Sequence, residues 1–448
     1  MEDFFDVKSV SDARETLVSE WLRHSLLLQK APAEEVELCE SLGRILALDV
    51  TSQEDVPAYP RSTVDGYAVR SKDTFGASEH LPAILNIAED IQMGSLPQVG
   101  LSAGQASRIP TGGALPDGAD ACVMVEHTEL LDRDTVLVQR PSFPGENVVQ
   151  RGEDVARGET VICAGTALRP FDIGALAAVG VTSAKVLRKP RVAIISTGDE
   201  IIEPSSTPQP GEMRDVNTYS LCAAVSQAKA IPVVLGISRD DYGSLRTLVE
   251  RGLAEADMVI VSGGSSVGTR DMTVNVFRDL GPPGVLVHGV AVKPGKPMII
   301  GICRGKPVFG LPGHPVSALT AFDLFVRFAM NVIVSMPRWA KKAVADGADP
   351  PSNPVERAIA AANALSAAQE IWTEAYLSRN VSSAPGRLDF VRVRLCERDG
   401  KKVAEPVLGK SGLISVLSGA DGEIVVPFDS EGLIGGTLVR VRLFPGRA

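Results

Sequence analysis

The segment DMVIVSGGSSVGTRD, residues 257–271, constrains the fold of this chain more than any other. An apolar run of strand length, Asp257 to Ser262, ends on paired glycines, hydroxyl residues and then a carboxylate. An apolar strand followed directly by such a loop belongs in a parallel α/β sheet, where ligands bind at the carboxyl ends of the strands. Gly263 and Gly264 let backbone amides approach an anion, Ser265, Ser266 and Thr269 add hydroxyl donors, and Asp271 can hold a divalent cation. The loop therefore reads as a phosphate cradle with a metal ligand at its rim. A plain strand-to-helix turn that needs glycine only for its dihedrals is the alternative.

The surrounding sequence continues the pattern. PRVAIIST, a helix starting near Asn217, IPVVLGI, a helix near Tyr242 to Glu255 and DMVIVSGG alternate as parallel α/β sheets do. The strands GVLVHGVAV and KPMIIGI and the helix PVSALTAFDLFVRFAM complete the unit near residue 335, and its apolar runs imply burial on both faces. The remainder reads differently. Apolar residues at helical spacing and a stop at Gly43 predict a helical entry segment over 11–43. Short β-like runs between glycines and prolines predict a small β domain over 57–150. ETVICAG and FDIGALAAVG add a strand and a helix before the joint LRKP. The alanine-rich stretch 340–367 reads as a connection or helix, and DFVRVRLCERDGKKVAEPV predicts a hairpin turning at Asp399–Gly400 in a terminal β domain over 353–448.

At 448 residues the chain exceeds one ordinary core. A net charge of −10 argues against a broad electrostatic grip on nucleic acid, so an anionic ligand must be held by local amides, lysines or metal. The six cysteines are scattered without a CxxC pair, as in reduced cytoplasmic proteins, and the five histidines are too dispersed for a zinc site. Residues 1–10 lack the basic start and apolar core of a signal peptide, and no apolar run approaches the roughly 20 residues of a membrane span.

Polar groups follow each strand of the α/β unit. Thr197, Gly198, Asp199 and Glu200 come after PRVAIIS, and Asn217 either caps a helix or contacts a ligand. Lys293 and Lys296 flank a Pro-Gly turn, giving a stiff positive corner suited to an oxyanion unless it is simply a solvated turn. Pro312 and Pro315 fix a loop at a helix N-terminus, where amides favour anions, and His314 between them has no partner at ligand spacing. In the β domain, Asp65 and Thr111 each read either as a turn residue or as a group facing a cleft.

The ordered set PAYPRSTVDGYAV, RIPTGGALPDGADACVMVE, RGEDV, ISTGDEI, RDVNTYSL, VSGGSSVGTRDMT, KPGKP and GLPGHPVSALTAF resembles the molybdopterin molybdenumtransferase family, which includes bacterial MoeA and the E domain of gephyrin. The likeness covers nearly the whole chain. It implies a multidomain α/β plus β protein. An elongated N-terminal domain comprises 1–56 and 151–186, an inserted β domain 57–150, an α/β molybdopterin-binding (MogA-like) domain with a mainly parallel sheet 187–340, and a C-terminal β domain 353–448. The resemblance also implies a cytoplasmic homodimer whose cleft lies between protomers. The implied reaction inserts molybdate into adenylylated molybdopterin with release of AMP, assisted by magnesium or another divalent cation. Molybdopterin adenylyltransferase and apo-molybdoenzymes are the implied protein partners, with no nucleic acid or membrane.

Motif matching carries catalytic roles onto Asp65, Thr111, Glu200 and Asp271, with Asp271 and Glu200 as metal ligands. It carries substrate binding onto Asp154, Asn217, Asp240, Gly263, Gly264, Ser265, Lys293, Lys296, Pro312 and Pro315. The chain departs from the family at Val64, where many members have methionine, at Gly289, where several carry a lysine or arginine, and at His314, where some have asparagine. No carboxylate needed by the chemistry is missing. An adenylyltransferase and a non-catalytic scaffold are the rival functions, and the residues do not choose between molybdate and tungstate.

Overall fold

The computed structural model describes residues 7–24, 33–263, 267–335, 353–407, 409 and 412–444, with backbone only for residues 267–271. Two compact units are present, one of residues 35–186, the other of the N-terminal residues to 34 together with 187–448.

In the 35–186 unit, a six-stranded sheet runs in the order Ala121–Met124, Gly66–Val69, Gln105–Ile109, Ala83–Asp90, Thr135–Val138 and Thr128–Leu130. Alternate residues such as Val136 and Val138 turn inward onto Tyr67, Leu85 and Val123. Residues on either side of this sheet in the chain pack together. Leu38 and Leu46 meet Leu168, Leu176 and Val186 in one cluster, and Ala47 N–H donates to the Lys185 carbonyl at 2.8 Å.

The helical expectation over 11–43 holds only for its first part. Val10–His24 is a helix, whereas Ala33–Glu37 is a strand followed by a 3-10 turn at Leu38–Glu40. The backbone there bonds to the opposite segment, with Leu38 N–H on the Thr182 carbonyl at 2.9 Å, so tertiary pairing overrides local spacing.

The other unit contains the α/β sheet. Its order is Ile231–Ser238, Arg191–Thr197, Met258–Gly263, Lys306–Leu311, Ile299–Cys303 and Gly284–His288. The first four strands are parallel, and Ile299–Cys303 runs antiparallel to both of its neighbours, Lys306–Leu311 and Gly284–His288. Successive residues of Arg191–Thr197 are buried on opposite faces: Val192 and Ile194 in one cluster, Ala193 and Ile195 in another. Helix Asn217–Gln227 covers the first face through Leu221 and Val225. Helix Tyr242–Glu255 covers the second through Leu245, Val249 and Leu253, at helical spacing. Ala13, Leu17 and Trp21 of the N-terminal helix enter the first cluster. The helical span Pro315–Val334 is apolar enough to suggest a membrane crossing, which the sequence reading did not anticipate, but 78% of its apolar window is buried. It is a core helix.

GVLVHGVAV is not one strand. Gly284–His288 stays in the α/β sheet, while Val292–Lys293 pairs in parallel with Leu388–Asp389 of the C-terminal sheet. That sheet otherwise comprises Ile371–Leu377, Leu388–Arg398, Lys401–Pro406, Gly422–Val426 and Leu438–Leu443, with the expected hairpin at Asp399–Gly400. Between the two sheets in sequence, Pro354–Gln369 is a helix capped by Asn353, whose side chain accepts from Val355 N–H.

Candidate functional site

Asp65 and Thr111, 46 residues apart, meet because Gly66 pairs with Ile109 in adjacent antiparallel strands. Asp65 Oδ1 accepts from Thr111 N–H at 2.7 Å and from Thr111 Oγ1 at 3.1 Å. These two bonds, the backbone one foremost, hold the exposed Asp65 carboxyl below the usual aspartate range. An ionised carboxylate thus stands at an open edge with one oxygen fixed. Asp154 of the same unit is exposed in a turn, its N–H donating to the Val56 carbonyl at 3.1 Å.

At the carboxyl ends of the parallel strands, Thr197 Oγ1 donates to Asp240 Oδ1 at 3.2 Å, and Asp240 N–H donates to Asp199 Oδ1 at 3.2 Å. A Cβ on Gly198 would lie 2.8 Å from Glu200 Oε2, so the glycine leaves room for that carboxylate to fold back. Partial burial, with the nearby charges of Asp199 and Glu200, raises the Asp240 carboxyl above its ordinary value. Three carboxylates therefore share one loop cluster. Their oxygen chemistry suits a hard divalent cation that keeps several non-protein ligands. Among the described residues, however, no group of three His, Cys, Asp or Glu side chains closes into a metal site by itself.

Asn217 does not cap its helix. Asp215 Oδ1 accepts from Thr218 N–H at 3.1 Å and takes that role, with Ser196 Oγ donating to the same oxygen at 3.0 Å. The Asn217 amide instead ties two strand ends together, Nδ2 donating to Ser262 Oγ at 2.9 Å and to the Gly313 carbonyl at 2.8 Å. Its Oδ1 is buried without a hydrogen-bond partner, an acceptor left over for a ligand donor.

Gly263 stands at φ +144, where a Cβ would lie 2.0 Å from the Thr197 carbonyl oxygen. Close approach of its neighbouring strand is thus sufficient reason for this glycine. Gly264, Ser265 and Ser266 lie outside the described residues, as do the side chains of Thr269 and Asp271, although helix Val267–Asp279 carries the Asp271 backbone.

A cleft of about 760 Å³ opens between the α/β sheet and the C-terminal sheet, lined among others by Lys293, Lys296, Pro312, His314, Arg387 and Asp389. Pro315 opens the adjoining helix at its first turn, behind the Pro312–His314 loop. Lys293 Nζ lies 2.9 Å from Asp389 Oδ2. Arg387 Nε is buried and has no hydrogen-bond partner. Arg392, also on the lining, is differently employed: it pairs with buried Glu423 and donates to Thr320 Oγ1 at 3.0 Å, and burial lowers its pKa to about 10. The cleft thus offers cations and helix-end amides to an anion.

The sequence pointed to Lys293, Lys296 and Pro312 but missed Arg387, Asp389 and Arg392. The available signal was charge, Asp389 and Arg392, within the apolar first half of the strand Leu388–Arg398, with Arg387 just before it, which hairpin reading alone does not weigh.

Comparison with known proteins places these features in context. Residues 8–180 match the family description "MoeA N-terminal region (domain I and II)", residues 193–331 "Probable molybdopterin binding domain", and residues 374–444 "MoeA C-terminal region (domain IV)". The chain is 35% identical over 421 residues to a putative molybdopterin biosynthesis protein of Methanocaldococcus jannaschii, covering 92% of each. It is 32% identical over 431 residues to the molybdopterin molybdenumtransferase of Bacillus subtilis, covering 95% of this chain and 93% of that one. A crystal structure of the molybdopterin biosynthesis MoeA protein from Pyrococcus horikoshii superposes with a TM-score of 0.76 at 35% identity, over 98% of this chain and 100% of that one.

Proposed function

The chain belongs to the molybdopterin molybdenumtransferase (MoeA) family, and on that premise we propose that it inserts molybdate into adenylylated molybdopterin, releasing AMP and finished molybdenum cofactor. The observation that carries this reading is the cleft lined by Lys293, Lys296 and Arg387, because both substrates are anions. Lys293 and Lys296 offset charge on the pterin phosphates and the incoming oxyanion. The buried, unpartnered Arg387 Nε supplies a further donor at the cleft wall. Fixing two anions side by side lowers the barrier mainly through orientation and electrostatic stabilisation of developing charge.

Asp65, kept ionised by Thr111, accepts from the substrate or orients molybdate. Asn217 Oδ1 contributes a polar contact to the pterin. Glu200 and Asp271 would hold a divalent cation, while Asp240 and the loop residues Gly263, Gly264 and Ser265 would contact the substrate. A divalent cation such as magnesium held by Asp271 and Glu200 would supply Lewis-acid polarisation of the phosphoanhydride. The closeness of the Asp199, Glu200 and Asp240 carboxylates at the strand ends supports a cation there.

The enzyme works as a homodimer, with Asp65 of one protomer completing the cleft of the other. The chain divides into an N-terminal domain of 35–56 with 151–186, a β domain of 57–150, an α/β domain of 187–340 into whose core the helix Val10–His24 packs, and a C-terminal domain of 353–448. Its compartment is the cytoplasm, a reading supported by six free cysteines. It takes its substrate from an adenylyltransferase and passes its product to apo-molybdoenzymes.

Incubating the protein with adenylylated molybdopterin, magnesium and either molybdate or tungstate should release AMP. ATP consumption with pyrophosphate release would instead identify an adenylyltransferase. Asp65→Ala and Asp271→Ala should each abolish AMP release while leaving the dimer folded by light scattering and circular dichroism; full activity in either variant removes that residue from the mechanism.

A further inference from the structure

We propose that Asp389, steadied by Ser383, is a positioning residue for this reaction: it fixes the Lys293 ammonium at the point where the anionic substrate meets it. The inference rests on the transferase reading above. Lys293 and Asp389 are direct partners in parallel strands, so the backbone itself brings their side chains together. Asp389 Oδ2 accepts from Lys293 Nζ at 2.9 Å and from Ser383 Oγ at 3.1 Å. The two side chains differ sharply in exposure, 50% for Lys293 and 4% for Asp389. The carboxylate is therefore the anchor and the ammonium the presented group.

Stability alone does not call for this arrangement. A buried carboxylate loses hydration, and a well-packed apolar pair in its place is often as stable or more so. What the pair supplies is restriction of a four-carbon stem with substantial rotamer freedom. One of the three ammonium donors is taken by Asp389, and two remain for a ligand. Arg387 and Lys296 keep the cleft cationic, so the cost in local charge is tolerable.

A residue acting through Lys293 has a signature that general destabilisation lacks. Asp389→Ala should lower kcat for AMP release on the order of 10²-fold, the scale of an ångström-size misplacement, with KM for the pterin changing by less than about threefold. In a Lys293→Met background the same substitution should cost less than about threefold more, because the group it positions is already gone. Asp389→Asn, which still accepts from both partners, should recover activity to within about tenfold of wild type. Ser383→Ala should fall between these and serves, with Asp389→Asn, if Asp389→Ala does not fold.

Losses that multiply in the double variant, or an Asp389→Ala enzyme within threefold of wild type, overturn the proposal. The Lys293 ammonium resonance in 15N spectra supplies a readout independent of turnover. It should be visible in the wild-type protein through slowed exchange and disappear in Asp389→Ala. If the wild type releases no AMP, the transferase reading fails, while this resonance still reports whether Asp389 holds Lys293; its persistence in the variant refutes the anchoring.

Discussion

Asp65 shows what a single pair of hydrogen bonds does to a candidate catalytic group. Its folded-state carboxyl is depressed, chiefly by Thr111 N–H and secondarily by Thr111 Oγ1. The sign follows directly: the stabilisation is present above the unfolded aspartate pKa and is lost as pH falls through the depressed folded value. Thr111→Val removes the hydroxyl donor but keeps the larger backbone contribution. The Asp65 carboxyl should therefore titrate part of the way back towards the ordinary value of about 3.9, as followed by carboxyl 13C shifts. An unchanged titration would show that the hydroxyl does not act on Asp65. From the sequence each of these residues was ambiguous, as a turn residue or a cleft residue. Their pairing depends on the register Gly66 with Ile109, and nothing in either motif specifies which strands will be neighbours. Asn217 illustrates the opposite case. Its place at a helix start was legible, but the cap went to Asp215, and only the tertiary approach of Ser262 and Gly313 explains its amide.

The strand-and-helix alternation from Arg191 to Leu311 was legible because Arg191–Thr197, Met258–Gly263 and Lys306–Leu311 are buried on both faces and carry uninterrupted apolar runs. The equally apolar edge strand Ile231–Ser238 leaves Val234 exposed, against the expected two-face burial. What composition did not reveal was where a continuous apolar run changes sheets. GVLVHGVAV divides at Gly289–Ala291, and the short second piece brings Lys293 against Asp389. Residues 33–43 failed for a related reason, since Leu38 finds its backbone partner at Thr182 rather than within a helix. Gly263 makes a prediction at this scale. Its added Cβ would face a backbone oxygen at 2.0 Å, and a carbonyl inside a parallel sheet cannot move aside as a flexible side chain can. The positive φ adds strain for any L side chain. Gly263→Ala should therefore destabilise the unit by about 3 kcal/mol or more, read as a lowered denaturant midpoint at unchanged slope. A midpoint within experimental error of wild type would mean that the two strand ends separate freely.

Whole-molecule organisation follows from where the cores close. The 35–186 unit has clusters of its own, around Tyr67 and Leu85 in the sheet and around Leu46 and Leu176 beside it. Its two ends are tied to each other as well: Ser183 Oγ donates to Glu35 Oε1 at 2.5 Å, and Leu38 N–H bonds to Thr182. A segment with a complete core and adjacent ends has the anatomy of an independently folding piece. Excised as residues 35–186, it should show a cooperative thermal transition and dispersed amide resonances, with Asp65 still titrating below an ordinary aspartate because its partner Thr111 is inside the same piece. The reciprocal expectation concerns the N-terminal helix. Ala13, Leu17 and Trp21 are fully buried in the cluster that also contains Ile194, Ile300 and Phe325, so deleting residues up to 24 should destabilise the α/β unit while leaving the excised 35–186 piece untouched. A 35–186 fragment that melts without a cooperative transition would show that its stability depends on the rest of the chain, and the N-terminal segment could then no longer be assigned to one core alone.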